Sequence, residues 1–281
     1  MVKIIADTTC GLPLDELNAL EVDVIPQIII FDGKAYKDDY EIDTPTFLSK
    51  LIQATELPKT AAPLPAFYEP LFKTYSEQEQ SIVIITPSSE VSGTYRSAKV
   101  AVEMVPQADV HIFDTRTLAG GLGVLVKKAK SWADKGLEAR DIIQALEDYK
   151  NREVVYFLVD TLDYLYKGGR IGNAAYLIGS ALQMKPILGL ENGKVAVVEK
   201  QRTSSKALNR LKDLVLEQHP ENNNSNITIS HCGALRRAET LAVELKKMLG
   251  VAHIPVYEAP PAIVVHAGPG VISVSFFKDN Q

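Results

Sequence analysis

The chain is built from short apolar runs, each followed by a polar turn and then an amphipathic stretch. Ile82-Val83-Ile84-Ile85 is a β-branched run bounded by turn chemistry, and this predicts a buried strand. Thr86-Pro87-Ser88-Ser89-Glu90-Val91 then reads as a polar loop, with a helix opening near Ser92. Ser92 sits where an N-cap belongs, and Gly93 lets another group approach the backbone closely. The first turn of such a helix carries free N–H groups and a partial positive charge, which suits an anion. An ordinary capped βα turn has the same pattern, so this stretch alone leaves both readings open.

The unit recurs. Lys3-Ile4-Ile5-Ala6 predicts a strand, Asp7-Thr8-Thr9-Cys10-Gly11 a polar turn, and Pro13 the first turn of a helix reaching about Leu20. Residues 24–31 read as a second strand interrupted by Pro26, and Asp32-Gly33 as a tight hairpin into residues 34–40. Asp43 caps a helix whose Phe47, Leu48, Leu51 and Ile52 fall at helical spacing. A proline-rich loop (57–65) leads to a helix carrying Phe67, Leu71 and Phe72. Residues 110–113 form another strand, followed by Asp114-Thr115-Arg116-Thr117 and a helix over 118–135 that Gly120, Gly121 and Gly123 allow to pack tightly. A further helix covers 139–150. Alternating strands and helices predict a Rossmann-like parallel α/β sheet over residues 1–150. In such a sheet the loops at 7–9, 86–94 and 114–117 gather on one rim, where ligands bind.

From residue 154 the pattern changes. A strand at 154–159, a short helix from Thr161 and the break Gly168-Gly169-Arg170-Ile171-Gly172 precede an apolar helix predicted to reach about Met184. Asn192-Gly193 joins strands at 186–190 and 195–199 in the strongest hairpin signal of the chain. Helices at 204–219 and 235–249 alternate with strands at 227–230 and 254–257. The apolar run 262–265 reads as a strand ending at His266-Ala267-Gly268-Pro269-Gly270, and an alternating strand covers 271–277. Asn222-Asn223-Asn224-Ser225 reads as a polar surface loop. Hairpins mixed with helices predict a second domain, 151–281, of α+β type with a mixed or antiparallel sheet.

At 281 residues the chain is long enough for two compact units. Its net charge of −5 offers no electrostatic basis for binding nucleic acid or an anionic membrane surface. Cys10 and Cys232 match neither a disulfide framework nor a metal spacing. No apolar run approaches the roughly 20 residues needed to cross a bilayer, so stable membrane insertion is not expected and a cytoplasmic location is the default.

Phosphate-binding signatures are missing. Residues 189–195 resemble a P-loop but are one residue short, lack the magnesium-holding hydroxyl and bridge two strands. The five histidines show no ligand spacing, and Ser92 is not in a G-x-S-x-G elbow. No metal or cofactor is therefore expected. His266 can be a structural hydrogen-bonder or a ligand group. Arg170, between glycines, can be a solvated charge or can point into a cleft toward a carboxylate or phosphate. Lys167, Lys185, Lys200 and Arg202 form a mildly basic face, either solvated or a docking surface.

Taken in order, these motifs resemble the DegV family: Asp7-Thr8-Thr9-Cys10-Gly11-Leu12, Ser92-Gly93-Thr94-Tyr95, Asp114-Thr115-Arg116, Thr161-Leu162-Asp163-Tyr164-Leu165, Lys167-Gly168-Gly169-Arg170-Ile171-Gly172, Lys185-Pro186-Ile187-Leu188 and His266-Ala267-Gly268-Pro269-Gly270. The resemblance spans the whole chain. It implies two domains holding one long-chain fatty acid between them, and a non-catalytic role as the binding subunit of a bacterial fatty acid kinase. A separate ATP-dependent kinase subunit would phosphorylate the bound carboxylate, giving an acyl phosphate for phospholipid synthesis. The carboxylate ligands carried over are Thr60, Ser92, the Gly93 backbone and His266. Arg170 and Arg202 match charged positions near the head group or the kinase-docking face. Where the family commonly has Thr-Ser-Gln-Pro, this chain has Thr60-Ala61-Ala62-Pro63, leaving Thr60 to do that loop's polar work alone.

Two other classes compete. Ser92 could act as nucleophile with His266 as base in an acyl hydrolase, or the site could sense a small anion without a tail. Leu118, Leu122, Ile178, Leu182 and Phe277 are candidates for tunnel lining and for ordinary core alike.

Overall fold

The computed structural model describes residues 1–179, 184–220 and 225–279. Its strands in chain order are β1 (Lys3–Asp7), β2 (Asp23–Ile25), β3 (Ile28–Phe31), β4 (Lys34–Lys37), β5 (Lys59–Ala61), β6 (Ile82–Thr86) and β7 (Val110–Asp114). β8 (Glu153–Leu158), β9 (Lys185–Glu191), β10 (Lys194–Gln201), β11 (Thr228–His231), β12 (Val256–Glu258) and β13 (Ile272–Phe277) follow.

β2, β1, β6 and β7 form a parallel sheet in that order. Ile4, Val83, Ile85 and Phe113 face the helix Ala119–Asp134, while Ile5, Ile82 and Ile84 pack on Tyr68, Phe72, Ala98 and Ala101. Burial on both faces is why β6 reads as an unbroken apolar run. The order β10-β9-β8-β13-β11-β12 makes a second sheet, antiparallel except for the β11–β12 pair. One face of it, including Tyr156, Ile187, Ile229, Val274 and Phe276, packs on the helices Ser204–Gln218 and Leu235–Leu249. By the two-residue period of a strand, Val155, Phe157, Thr228, Ser230, Ser273 and Ser275 point the other way.

The helix Ala119–Asp134 lies between the two sheets, and its glycines make the fit possible. A Cβ at Gly123 would come within 2.8 Å of the Cys10 carbonyl oxygen, and one at Gly121 would run into the Glu153 carboxyl group.

Four local expectations are corrected. Residues 24–31 are two strands in different sheets, because Pro26 cannot donate to a ladder and the Gln27 N–H bonds Thr8 Oγ1 instead. The proline-rich loop contains β5, which pairs with β3 and completes a small antiparallel sheet, β4-β3-β5. Residues 262–265 belong to a helix, Pro261–Ala267, with proline at its first position. Past Gly172 the backbone makes a 3-10 turn, Gly172–Leu177, and not an α-helix. Leu182 and the polar loop at 222–224 lie outside the described residues.

Ile29, Phe31 and Phe47 share a core with Leu165, Val264 and Val271, so the small sheet packs against elements from beyond residue 150. Among the described residues no helix is long and apolar enough to cross a membrane.

Candidate functional site

β5 and the helix Pro261–Ala267 meet at one hydrogen bond, in which Thr60 Oγ1 and His266 Nε2 lie 2.7 Å apart. The other ring nitrogen of His266 is buried without a hydrogen-bond partner among the described residues. Burial, and then the charge of Arg170, push this histidine down to about 4, so it is neutral at physiological pH. Arg170 Nη1 donates to the Gly168 carbonyl at 2.7 Å and Nε to the Val91 carbonyl at 3.1 Å. Among the described residues no carboxylate pairs with its guanidinium. A half-buried, unpaired cation beside a neutral imidazole suits an anionic ligand.

Ser92 lies just before the helix Thr94–Met104, one residue earlier than its N-cap, Gly93. Its hydroxyl is 2.8 Å from Thr94 Oγ1 and accepts from the Thr94 N–H at 3.3 Å. Behind it runs a buried polar relay. Gln27 Nε2 donates to Thr94 Oγ1 and to Asp7 Oδ2, both at 2.7 Å, and Asp7 Oδ1 accepts from the Thr9 N–H at 2.8 Å. Burial pushes the Asp7 carboxyl up to about 6 against these stabilising bonds. The relay orients the Ser92 hydroxyl from β1 and the β2–β3 junction. Gly93 lets the two loops close on each other, since a Cβ there would lie 3.3 Å from that of Ala62.

These groups line one cavity, which with its open mouth encloses about 1160 Å³. Thr60, Ser92, Gly93, Arg170 and His266 all contribute, together with Thr9 and Gln27. The remaining wall is largely apolar, with Pro87, Val91, Leu118, Val155, Phe157, Leu165, Leu190, Val195, Ile263 and Val271. Leu118 is thus a lining residue, whereas Leu122 and Phe277 sit in the core beside the parallel sheet and Ile178 packs against the core that Ile29, Phe47 and Val264 share. Arg202 is exposed and is not part of the lining. Ser92 and His266 do not form the pair a serine hydrolase needs: each has its own partner, Thr94 for one and Thr60 for the other.

A family model described as an uncharacterised protein of the DegV family matches residues 1–279. This chain belongs to the DegV family. A DegV domain-containing protein of Streptomyces coelicolor is 34% identical over 275 residues, covering 97% of each chain. A solved structure of a fatty-acid-binding DegV protein from Streptococcus agalactiae superposes with a TM-score of 0.90 at 27% identity, covering 100% of this chain and 99% of that one. DegV of Bacillus subtilis, solved as a fatty-acid-binding protein, gives 0.87 at 28% identity and 99% coverage of both chains.

Within this DegV fold, two of the three rim loops reach the cavity, through Thr9 and through Pro87 to Gly93. The third braces its neighbour: Asp114 accepts from the Ser89 backbone at 3.1 Å and side chain at 2.6 Å, and Arg116 pairs with Asp114 and Glu90. Sequence reasoning passed over Gln27 and Ser230. A lone glutamine in the apolar run 24–31 and hydroxyl residues alternating with isoleucines along 227–230 were the available signals.

Proposed function

We propose that this protein binds one long-chain fatty acid in the cavity, with its carboxylate at Thr60, Ser92, the Gly93 backbone and His266 and balanced by Arg170. The observation that carries the reading is that these groups all line a single cavity whose remaining lining is largely apolar. Burying about 15 methylenes at ~0.8 kcal/mol each gives a gross gain of roughly 12 kcal/mol before ordering costs. The tail therefore supplies the affinity, and the polar end fixes orientation. The solved relatives described as fatty-acid-binding proteins support the same ligand class.

The protein does not itself transform the ligand. It presents the carboxylate at the cavity mouth to a separate ATP-dependent kinase subunit in the cytoplasm, which forms an acyl phosphate for phospholipid synthesis. Arg202, exposed near the end of β10, belongs to the surface that docks the kinase. The test is reconstitution: loaded protein, kinase subunit and ATP are mixed and acyl phosphate is trapped as the hydroxamate. Product that requires all three components supports the role. Product formed without the kinase, or covalent labelling of Ser92 by a serine-reactive probe, would overturn it.

A further inference from the structure

The cavity carries a second polar patch that the carboxylate does not use. On the face that walls it, β11 and β13 pair Thr228 with Ser275 and Ser230 with Ser273. Ser275 donates to Glu153 Oε1 at 2.9 Å, and that oxygen also accepts from Thr117 at 2.8 Å. Ser273 donates to the Ser230 carbonyl at 3.5 Å. The hydroxyls of Ser230 and Thr228 differ from these. Both are buried without a hydrogen-bond partner among the described residues, in residues only 4% and 6% exposed, and Ser230 lines the cavity. Both flank Gly120 in the first turn of the helix Ala119–Asp134: a Cβ there would run into Thr228 Oγ1, which sits against this helix and is not among the cavity-lining residues, and would lie 3.3 Å from Ser230 Oγ.

Small side chains are expected on a wall that makes room for an acyl chain. Alanine or glycine would leave the same room without a buried, unmatched hydroxyl, and leaving such a group unmatched is costly. The patch is also local, since Val155 and Phe157, next to it on the same face, are apolar. A hydroxyl donates one hydrogen bond and accepts others, and with the one carboxylate held at Ser92 its match here is a neutral oxygen further along the chain. We infer that Ser230 recognises an oxygen substituent on the acyl chain, so that hydroxy or oxo fatty acids are preferred over plain ones. A site built to bond an oxygen discriminates against a ligand lacking it, because its own polar group is then left unpaired. This rests on the fatty-acid reading above, and adds a second fixed point to the one at Ser92.

The test uses the full-length protein stripped of lipid. Octadecanoic acid and a series of hydroxyoctadecanoic acids, differing in the position of the hydroxyl, are compared by calorimetry on the parent and on Ser230→Ala. At least one positional isomer should bind about tenfold more tightly than octadecanoic acid, and Ser230→Ala should erase that advantage while leaving octadecanoic acid unaffected. Octadecanoic acid binding at least as tightly as every isomer would overturn the inference and leave Ser230 holding an ordered water only. A hydroxy-acid preference that survives in Ser230→Ala would overturn the assignment to this residue. If neither class of acid binds, the fatty-acid reading itself falls and the inference falls with it.

Discussion

At the scale of single residues, the proposed head-group site combines a hydroxyl held in place, a neutral imidazole and a guanidinium that no carboxylate pairs among the described residues. Ser92 donates freely only if Thr94 and Gln27 hold its orientation, and the relay to Asp7 does so. Removing the hydroxyl in Ser92→Ala should weaken fatty-acid binding by about tenfold to a hundredfold, the worth of a hydrogen bond to a charged group. Calorimetry on lipid-stripped protein measures this, and unchanged affinity would place the carboxylate elsewhere. His266 gives an independent readout. Its ring is held down near 4 by burial and Arg170, so a bound carboxylate or the variant Arg170→Gln should each raise its pKa in an NMR titration. The sign for stability follows from the same shift. The unfolded ring takes up protons from about 6.5 downward and the folded ring only near 4, so stability from this residue is lost as pH falls through that window. Asp7 acts in the opposite sense. Its folded pKa near 6 exceeds the ordinary 3.8, so its contribution is lost as pH rises between them, and Asp7→Asn should remove that slope in denaturant melts across pH 4 to 6.

At the scale of elements, the helix Ala119–Asp134 decides how closely the two large sheets approach. Alanine normally favours a helix over glycine by up to about 1 kcal/mol. At Gly123 the added carbon meets the Cys10 backbone oxygen, which cannot swing aside as a side chain can. Gly123→Ala should therefore lower stability by about 1–3 kcal/mol, the usual effect of overpacking. A melting temperature that rises would contradict the packing described. This helix, β6 and the Asn192-Gly193 hairpin were legible in the sequence because each has a strong local signal: long apolar periodicity, a β-branched run, and a turn requiring positive φ at both residues. β5 was not. Three residues among prolines have no periodicity, and only pairing with β3 across a long loop makes them a strand. The segment 262–265 is a short apolar run that fits strand and helix equally, and Pro261 before it was the deciding signal. Thr60, Ser92 and His266 were named through the family resemblance, and that they line one cavity depends on β5 and this helix, the two elements that local patterns conceal. Gln27 was hidden for the same reason: its role comes from leaving a strand, not from extending one.

At the scale of the whole molecule, the cavity is lined from both halves of the chain, by Ser92 and Leu118 from before residue 150 and by Phe157, Ile263 and His266 from after it. A ligand there stabilises the chain as a unit. At a hundredfold excess over Kd it adds about 2.7 kcal/mol, and at roughly 2–4 °C per kcal/mol for large domains the melting temperature should rise by about 5–10 °C. A scan with and without octadecanoic acid checks this. The most direct measurement is native mass spectrometry of the protein purified from its host without added lipid. Here the account predicts a one-to-one complex with a long-chain fatty acid, diminished in Ser92→Ala. Protein carrying a small anion with no alkyl tail, or no acyl ligand even after incubation with long-chain fatty acids, would contradict it.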